Sequence, residues 1–73
     1  MITIGFYGRL AERLGRQVDL DLPDGVSLSE LRAYFDGLDA DKVRALVNDE
    51  TALDDIWVYP GDRVDFLPPL SGG

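Results

Sequence analysis

Apolar and polar positions alternate from the second residue onward. Ile2, Ile4 and Phe6 fall on one side of the chain, and Thr3, Gly5 and Tyr7 on the other, the period of two expected of a half-buried strand. The period then changes: Leu10, Ala11 and Leu14 recur at helical spacing between Arg9 and Leu14, and Gly15 supplies a helix stop. Alternation returns over 17–22, with Val18, Leu20 and Leu22 inward and Gln17, Asp19 and Asp21 outward, until Pro23-Asp24-Gly25 signals a turn. So short a connection between the first two strands predicts an antiparallel pair.

Ser27-Leu28-Ser29-Glu30 has the form of a capping box, in which the serine hydroxyl accepts the Glu30 N–H. Leu28, Leu31 and Phe35 follow at i, i+3 and i+7, predicting a main helix that lays one apolar stripe on a sheet and frays near Gly37. Residues 42–47 predict a third strand, with Val43, Ala45 and Val47 on one face and Arg44 and Leu46 on the other. Asn48-Asp49-Glu50 predicts a turn, 56–58 a short strand, and Pro60-Gly61 a type II turn. A last strand spans 62–67, with Val64 and Phe66 toward the core and Arg63, Asp65 and Leu67 outward. Strands in a meander with one long helix on one face make an α+β domain, here residues 1–67.

Composition narrows the chemistry. With 73 residues there is room for one domain only, with a stability of roughly 4–11 kcal/mol by the usual per-residue range. Cys and His are both absent, which removes disulfides, thiolate nucleophiles, zinc clusters and the usual general base near neutral pH. The formal net charge of −7, from 7 basic and 14 acidic side chains, argues against nucleic acid and anionic membranes. It favours a partner with a basic docking face. The longest uninterrupted aliphatic and aromatic run, Ile56-Trp57-Val58-Tyr59, is far short of a membrane span. The strand pattern begins at Ile2 with no basic region before it, which predicts no signal peptide and a soluble, cytoplasmic protein.

Residues 68–73 stand apart. Pro68-Pro69-Leu70-Ser71-Gly72-Gly73 fits neither strand nor helix: the prolines withhold backbone donors and favour an extended path, and the glycines carry no side chain. Fully extended, this tail reaches about 20 Å. Every charged side chain lies at or before Asp65. A thin, uncharged tail is suited to threading a narrow tunnel without desolvating charge.

Four stretches of the chain carry a resemblance. They are Phe6-Tyr7-Gly8-Arg9-Leu10-Ala11-Glu12, Leu22-Pro23-Asp24-Gly25-Val26-Ser27-Leu28-Ser29-Glu30-Leu31, Val47-Asn48-Asp49-Glu50, and the whole run from Pro60 to Gly73. On these the sequence resembles the molybdopterin synthase small subunits of the MoaD/ThiS family of ubiquitin-like sulfur carriers. The most specific element is Gly-Asp, an apolar strand, Pro-Pro and a terminal Gly-Gly. The resemblance implies a β-grasp fold: a mixed sheet of four to five strands, one main helix packed on it and a short first helix.

It also implies a chemistry. A ubiquitin-activating-like adenylyltransferase adenylates the carboxylate of Gly73 with ATP, and sulfur from a donor protein displaces AMP to leave a thiocarboxylate. The tail then enters the molybdopterin synthase large subunit and passes its sulfur to cyclic pyranopterin monophosphate. Gly72 and Gly73 let two different active sites approach the reacting carbon, while Pro68, Pro69, Leu70 and Ser71 carry it there. The protein itself then needs no bound cofactor and no metal; ATP belongs to the activating enzyme. The absence of His and Cys, a difficulty for an enzyme acting alone, suits a sulfur-donating subunit.

A docking patch follows from strand parity. Leu67, Leu46 and Tyr7 are each out of phase with the core positions of their strands, so together they would offer an apolar surface to a partner; the resemblance supports Leu67 in that role. The chain departs from the family at Ala11, Thr51 and Trp57, and in a short helix-to-strand connection. Other constellations carry less. Asp19-Leu20-Asp21-Leu22-Pro23-Asp24-Gly25 is superficially like a calcium loop but has Pro23 and Asp24 where a ligand and a glycine are needed. Asp49-Glu50 and Asp54-Asp55 fit solvated loops. Two further readings stay open: a sulfur carrier for another pathway such as thiazole formation for thiamine, or a ubiquitin-like modifier of protein lysines, with Lys42 as its own single lysine.

Overall fold

The computed structural model describes residues 1–69. Its central feature is a parallel pairing of the first and last strands, β1 (Ile2–Phe6) and β7 (Arg63–Leu67), in the register Ile4↔Val64 and Phe6↔Phe66. Helix α1 (Arg9–Leu14) turns the chain back into β2 (Gln17–Leu20), which pairs antiparallel with the outer side of β1. Beyond β7 lie β4 (Arg44–Val47) and then β5 (Glu50–Thr51), each antiparallel to its neighbour. The result is a mixed five-stranded sheet in the order β2-β1-β7-β4-β5. A second, two-stranded sheet pairs β3 (Val26–Ser27) with β6 (Trp57–Val58). Helix α2 (Leu28–Arg32) starts where β3 stops.

One face of the large sheet holds the core. Ile2, Ile4, Phe6, Val64 and Phe66 from the two central strands meet Leu28 and Leu31 of α2. The Phe6 ring stacks on Phe66 at 5.9 Å and meets Phe35 edge-on at 5.1 Å, geometries that aromatic pairs favour. The alternation read from β1, β4 and β7 therefore corresponds to the observed inner face, and α1 and the two flanking turns fall where expected. Asp62 N–H donates to the Tyr59 carbonyl with Gly61 at φ 95°, as a type II turn requires.

The main helix differs from expectation. It covers only Leu28–Arg32; from Ala33 to Phe35 the N–H groups bond three residues back rather than four, and Gly37 sits at φ 80°. Tyr34, Phe35, Asp36 and Gly37 are weak helix formers, and a competing anchor draws the chain away. Buried Arg32 donates through Nη1 to the carbonyls of Leu38 and Val43 at 2.8 and 2.7 Å, and through Nε to Asp54 at 3.1 Å. Its guanidinium also lies 5.5 Å from the Phe66 ring centre. The expected capping bond is present, Glu30 N–H to Ser27 Oγ at 3.2 Å.

Two strands are shorter than the alternation suggests. β2 stops at Leu20 because Leu20 is already opposite Ile2, so Asp21 and Leu22 run past the neighbouring strand. β4 begins at Arg44 because Arg44 is opposite Leu67, and the next residue, Pro68, has no N–H to offer a ladder. Asn48 and Asp49, at φ 51° and 69°, form the two-residue loop of a tight hairpin, so Glu50 belongs to β5 and not to the turn. Among the described residues no helix is long and apolar enough to cross a membrane.

Candidate functional site

The outer face of the sheet surrounds the point where the tail leaves β7. On that face Asp65 is the Cα partner of both Gly5 and Leu46, and Leu67 that of Arg44. Tyr7, just past the end of β1, reaches back with its hydroxyl to donate to Asp65 Oδ1 at 2.9 Å. The three residues read as a docking patch, Tyr7, Leu46 and Leu67, thus share one face with Asp65 among them. Tyr7 is 43% exposed, whereas Leu46 and Leu67 are half-buried.

Asp65 is not the solvated outward residue that parity predicts: it is buried. Its cover is a polar cluster. Arg63 Nε donates to both carboxylate oxygens at 3.1 and 3.2 Å, and Nη2 lies 3.0 Å from Oδ1 and donates to the Tyr7 hydroxyl at 3.4 Å. Arg63 and Asp65 are two apart on one strand, hence on one face, and the ion pair hides the carboxylate that stands across from Gly5. The hydrogen bond to Asp65, then that to Tyr7, hold the Arg63 guanidinium protonated even beyond its ordinary range. Its charge is constant at every working pH.

Gly5 makes the cluster possible. A Cβ there would lie 2.5 Å from Asp65 Oδ1 and 2.7 Å from Arg63 Nη2, closer than atoms pack. A glycine inside a strand marks a close approach of this kind, and the opposite charges at 63 and 65 were the second available signal. Neither identifies the third partner, Tyr7, which arrives from the far end of the sequence.

At the tail root Pro68 is half-buried and Pro69 exposed. A Cβ on Gly8 (φ 56°) would meet Pro68 Cγ at 3.1 Å, so the first tail residue rests against the β1–α1 turn. Leu70, Ser71, Gly72 and Gly73 lie outside the described residues. Beside the root, a groove of about 630 Å³ opens between the outer face and α1, walled in part by Tyr7, Glu12, Arg16 and Arg63. Among the described residues no three His, Cys, Asp or Glu side chains gather in a way that could hold a metal ion.

Comparison with known proteins bears on this arrangement. The ThiS family model matches residues 4–73. No curated protein sequence is matched. Among solved structures, SAMP1, small archaeal modifier protein 1 of Haloferax volcanii, superposes with a TM-score of 0.79 at 26% identity over 99% of this chain and 98% of its own. A protein of Pyrococcus furiosus assigned as molybdopterin converting factor subunit 1 gives 0.77 at 21% identity, covering 94% and 97%. A chain from the complex of subunits 1 and 2 of molybdopterin-converting factor from Helicobacter pylori gives 0.66 at 23% identity, covering 99% and 97%. The fold is therefore the β-grasp of these small proteins, with a mixed five-stranded sheet and two short helices.

Proposed function

The chain belongs to the ThiS family, and from that membership we propose that it is a sulfur carrier whose Gly73 carboxylate is adenylated and converted to a thiocarboxylate. In this reading it is the small subunit of a molybdopterin synthase. A Gly73 carboxylate oxygen attacks the α-phosphate of ATP on an adenylyltransferase, pyrophosphate leaves, and sulfur from a donor protein then displaces AMP. On the large subunit the thiocarboxylate sulfur is transferred to cyclic pyranopterin monophosphate.

The observation that supports this most is the placement of the tail root. β7 is bonded on both sides by β1 and β4, and the uncharged segment from Pro68 onward follows it directly. The body thus anchors, between two neighbouring strands, the strand from which the tail starts. The likeness to molybdopterin converting factor subunits, one of them seen with its second subunit, favours the molybdenum pathway and a large-subunit partner. The likeness to SAMP1 favours a second reading, a modifier joined to protein lysines through the same activated carboxylate.

Mass spectrometry tests the shared step. After incubation with an adenylyltransferase of this type, ATP and a sulfur donor, the C-terminal peptide is expected to gain the mass of sulfur for oxygen at Gly73. An active enzyme that leaves the peptide unchanged would sink the carrier reading. Adding a large subunit and cyclic pyranopterin monophosphate then separates the two readings, because the first predicts molybdopterin and the second isopeptide adducts.

A further inference from the structure

We infer that Asp36-Gly37, in the loop between α2 and β4, is a self-modification site at which the chain converts its own backbone to isoaspartate through a cyclic imide, while Asp24-Gly25 is held inert. This chemistry is independent of the carrier reading above.

The chain has two Asp-Gly pairs. Both aspartates are exposed, and both glycines hold a positive φ, 79° at Gly25 and 80° at Gly37, so neither exposure nor backbone class tells the pairs apart. With no side chain on the next residue, an aspartate carboxyl and the following amide nitrogen are free to meet. That nitrogen attacks Cγ of the protonated carboxyl, the amide proton and the carboxyl hydroxyl leave as water, and a five-membered imide closes. Water then re-enters at Cγ, restoring aspartate, or at the main-chain carbonyl carbon, which routes the backbone through Cβ and Cγ and leaves isoaspartate. One water leaves and one returns, and no oxidant or cofactor is consumed.

The pairs differ at the nucleophile. The Gly25 N–H donates to the Leu22 carbonyl at 2.9 Å, and Gly25 is walled in, since a Cβ there would run into Trp57 Nε1 and lie 2.6 Å from the Val58 carbonyl oxygen. Attack by that nitrogen must first open the turn. The Gly37 N–H makes no hydrogen bond among the described residues, so nothing has to break before it reacts.

Arg13 supplies the second difference. Its Nη1 donates to the Asp36 carbonyl at 2.7 Å, and a Cβ on Gly37 would lie 2.6 Å from its Nη2, so the guanidinium rests against the reacting peptide bond. The Asp24 carbonyl accepts instead from the neutral Trp57 indole at 3.1 Å, and hydrogen bonds from a charged donor are roughly twice as strong. A cation on the Asp36 carbonyl draws electron density from the peptide bond and makes the Gly37 N–H the better acid. It also faces the oxygen that turns negative when water adds to that carbonyl carbon, the placement that stabilises an oxyanion, so the imide opens toward isoaspartate. The methylene that isoaspartate adds to the backbone falls two residues before Leu38, whose carbonyl accepts from buried Arg32 at 2.8 Å. Conversion therefore works against that anchor.

Ageing the full-length protein in warm, near-neutral buffer made with heavy-oxygen water tests the assignment. Each imide opening then marks the chain, and peptide mapping with electron-transfer fragmentation counts marked aspartate and isoaspartate at both pairs. In the folded protein, residue 36 is expected to react about tenfold faster than residue 24, the effect of one backbone hydrogen bond that must break first. In the urea-unfolded chain the two rates should converge. Asp36→Glu should abolish the product at 36, because its ring would have six members and close far more slowly. Arg13→Gln should slow marking at 36 and lower the share of isoaspartate among the marked chains, a ratio that mere loosening of the loop would not move. Equal rates at the two pairs in the folded protein, or no marking at 36 while the unfolded chain marks both, overturns the assignment. An unchanged rate and ratio in Arg13→Gln overturns the part given to Arg13.

Discussion

The Tyr7 hydroxyl and the Asp65 carboxylate, 58 positions apart in the chain, are joined by a 2.9 Å hydrogen bond across the outer face of the sheet. This bond ties the turn after β1 to the strand that launches the tail. Removing the hydroxyl in Tyr7→Phe keeps the ring but withdraws one donor from a buried acceptor, at an expected cost of about 1 kcal/mol. The urea midpoint should fall accordingly, with no change in slope.

Gly5→Ala should cost more, about 1–3 kcal/mol, because the new methyl group overpacks a fixed ion pair. The penalty has a named source, so it should shrink sharply when Asp65 is already replaced by alanine. A double-mutant cycle on denaturation free energies measures the coupling directly; additive costs would mean that the strand, not the cluster, resists the side chain.

Arg32 joins the end of α2 to the loop before β4 through Leu38 and Val43, and to the β5–β6 loop through Asp54. Truncation in Arg32→Ala leaves two carbonyls and a carboxylate without their donor, and about 3–5 kcal/mol of stability should be lost. Against a total of roughly 4–11 kcal/mol, that places the variant near its unfolding threshold. Calorimetry should show the drop in Tm, and amide exchange should rise first around residues 38–43.

Asp49 holds φ 69° in the β4–β5 hairpin, a conformation that glycine adopts without strain. Asp49→Gly is therefore expected to stabilise the protein, by up to about 1 kcal/mol. Asn48→Ala should do the opposite, because Asn48 Oδ1 accepts from the Arg63 N–H at 3.0 Å and its amide donates to Asp62 at 3.1 Å. Thermal melts of the two variants should move in opposite directions.

Local patterning makes the strands of the large sheet legible but not their order: in place of the expected meander, the first and last strands pair in parallel at its centre. β1, α1, the inner face of β4 and β7, the serine cap and both glycine turns follow from periodicity and turn chemistry at neighbouring positions. What could not be read there depends on distance. The five-residue α2 follows from an arginine bonding to carbonyls six and eleven residues away, and β3 exists only because β6 comes to it. Parity places Asp65 outward, on the face it shares with Gly5 and Leu46. Its burial comes from Tyr7 and Arg63 folding over it, which no alternation rule contains. For the tail, composition alone sets the reading, and Leu70 to Gly73 lie outside the described residues.

The position of β7 has one consequence for the life of the chain. The strand that occupies the middle of the sheet is made after every other described strand, so until it arrives β1 and β4 are open edges with no neighbour between them. Completion of the large sheet therefore waits on the same strand that leads directly into Pro68.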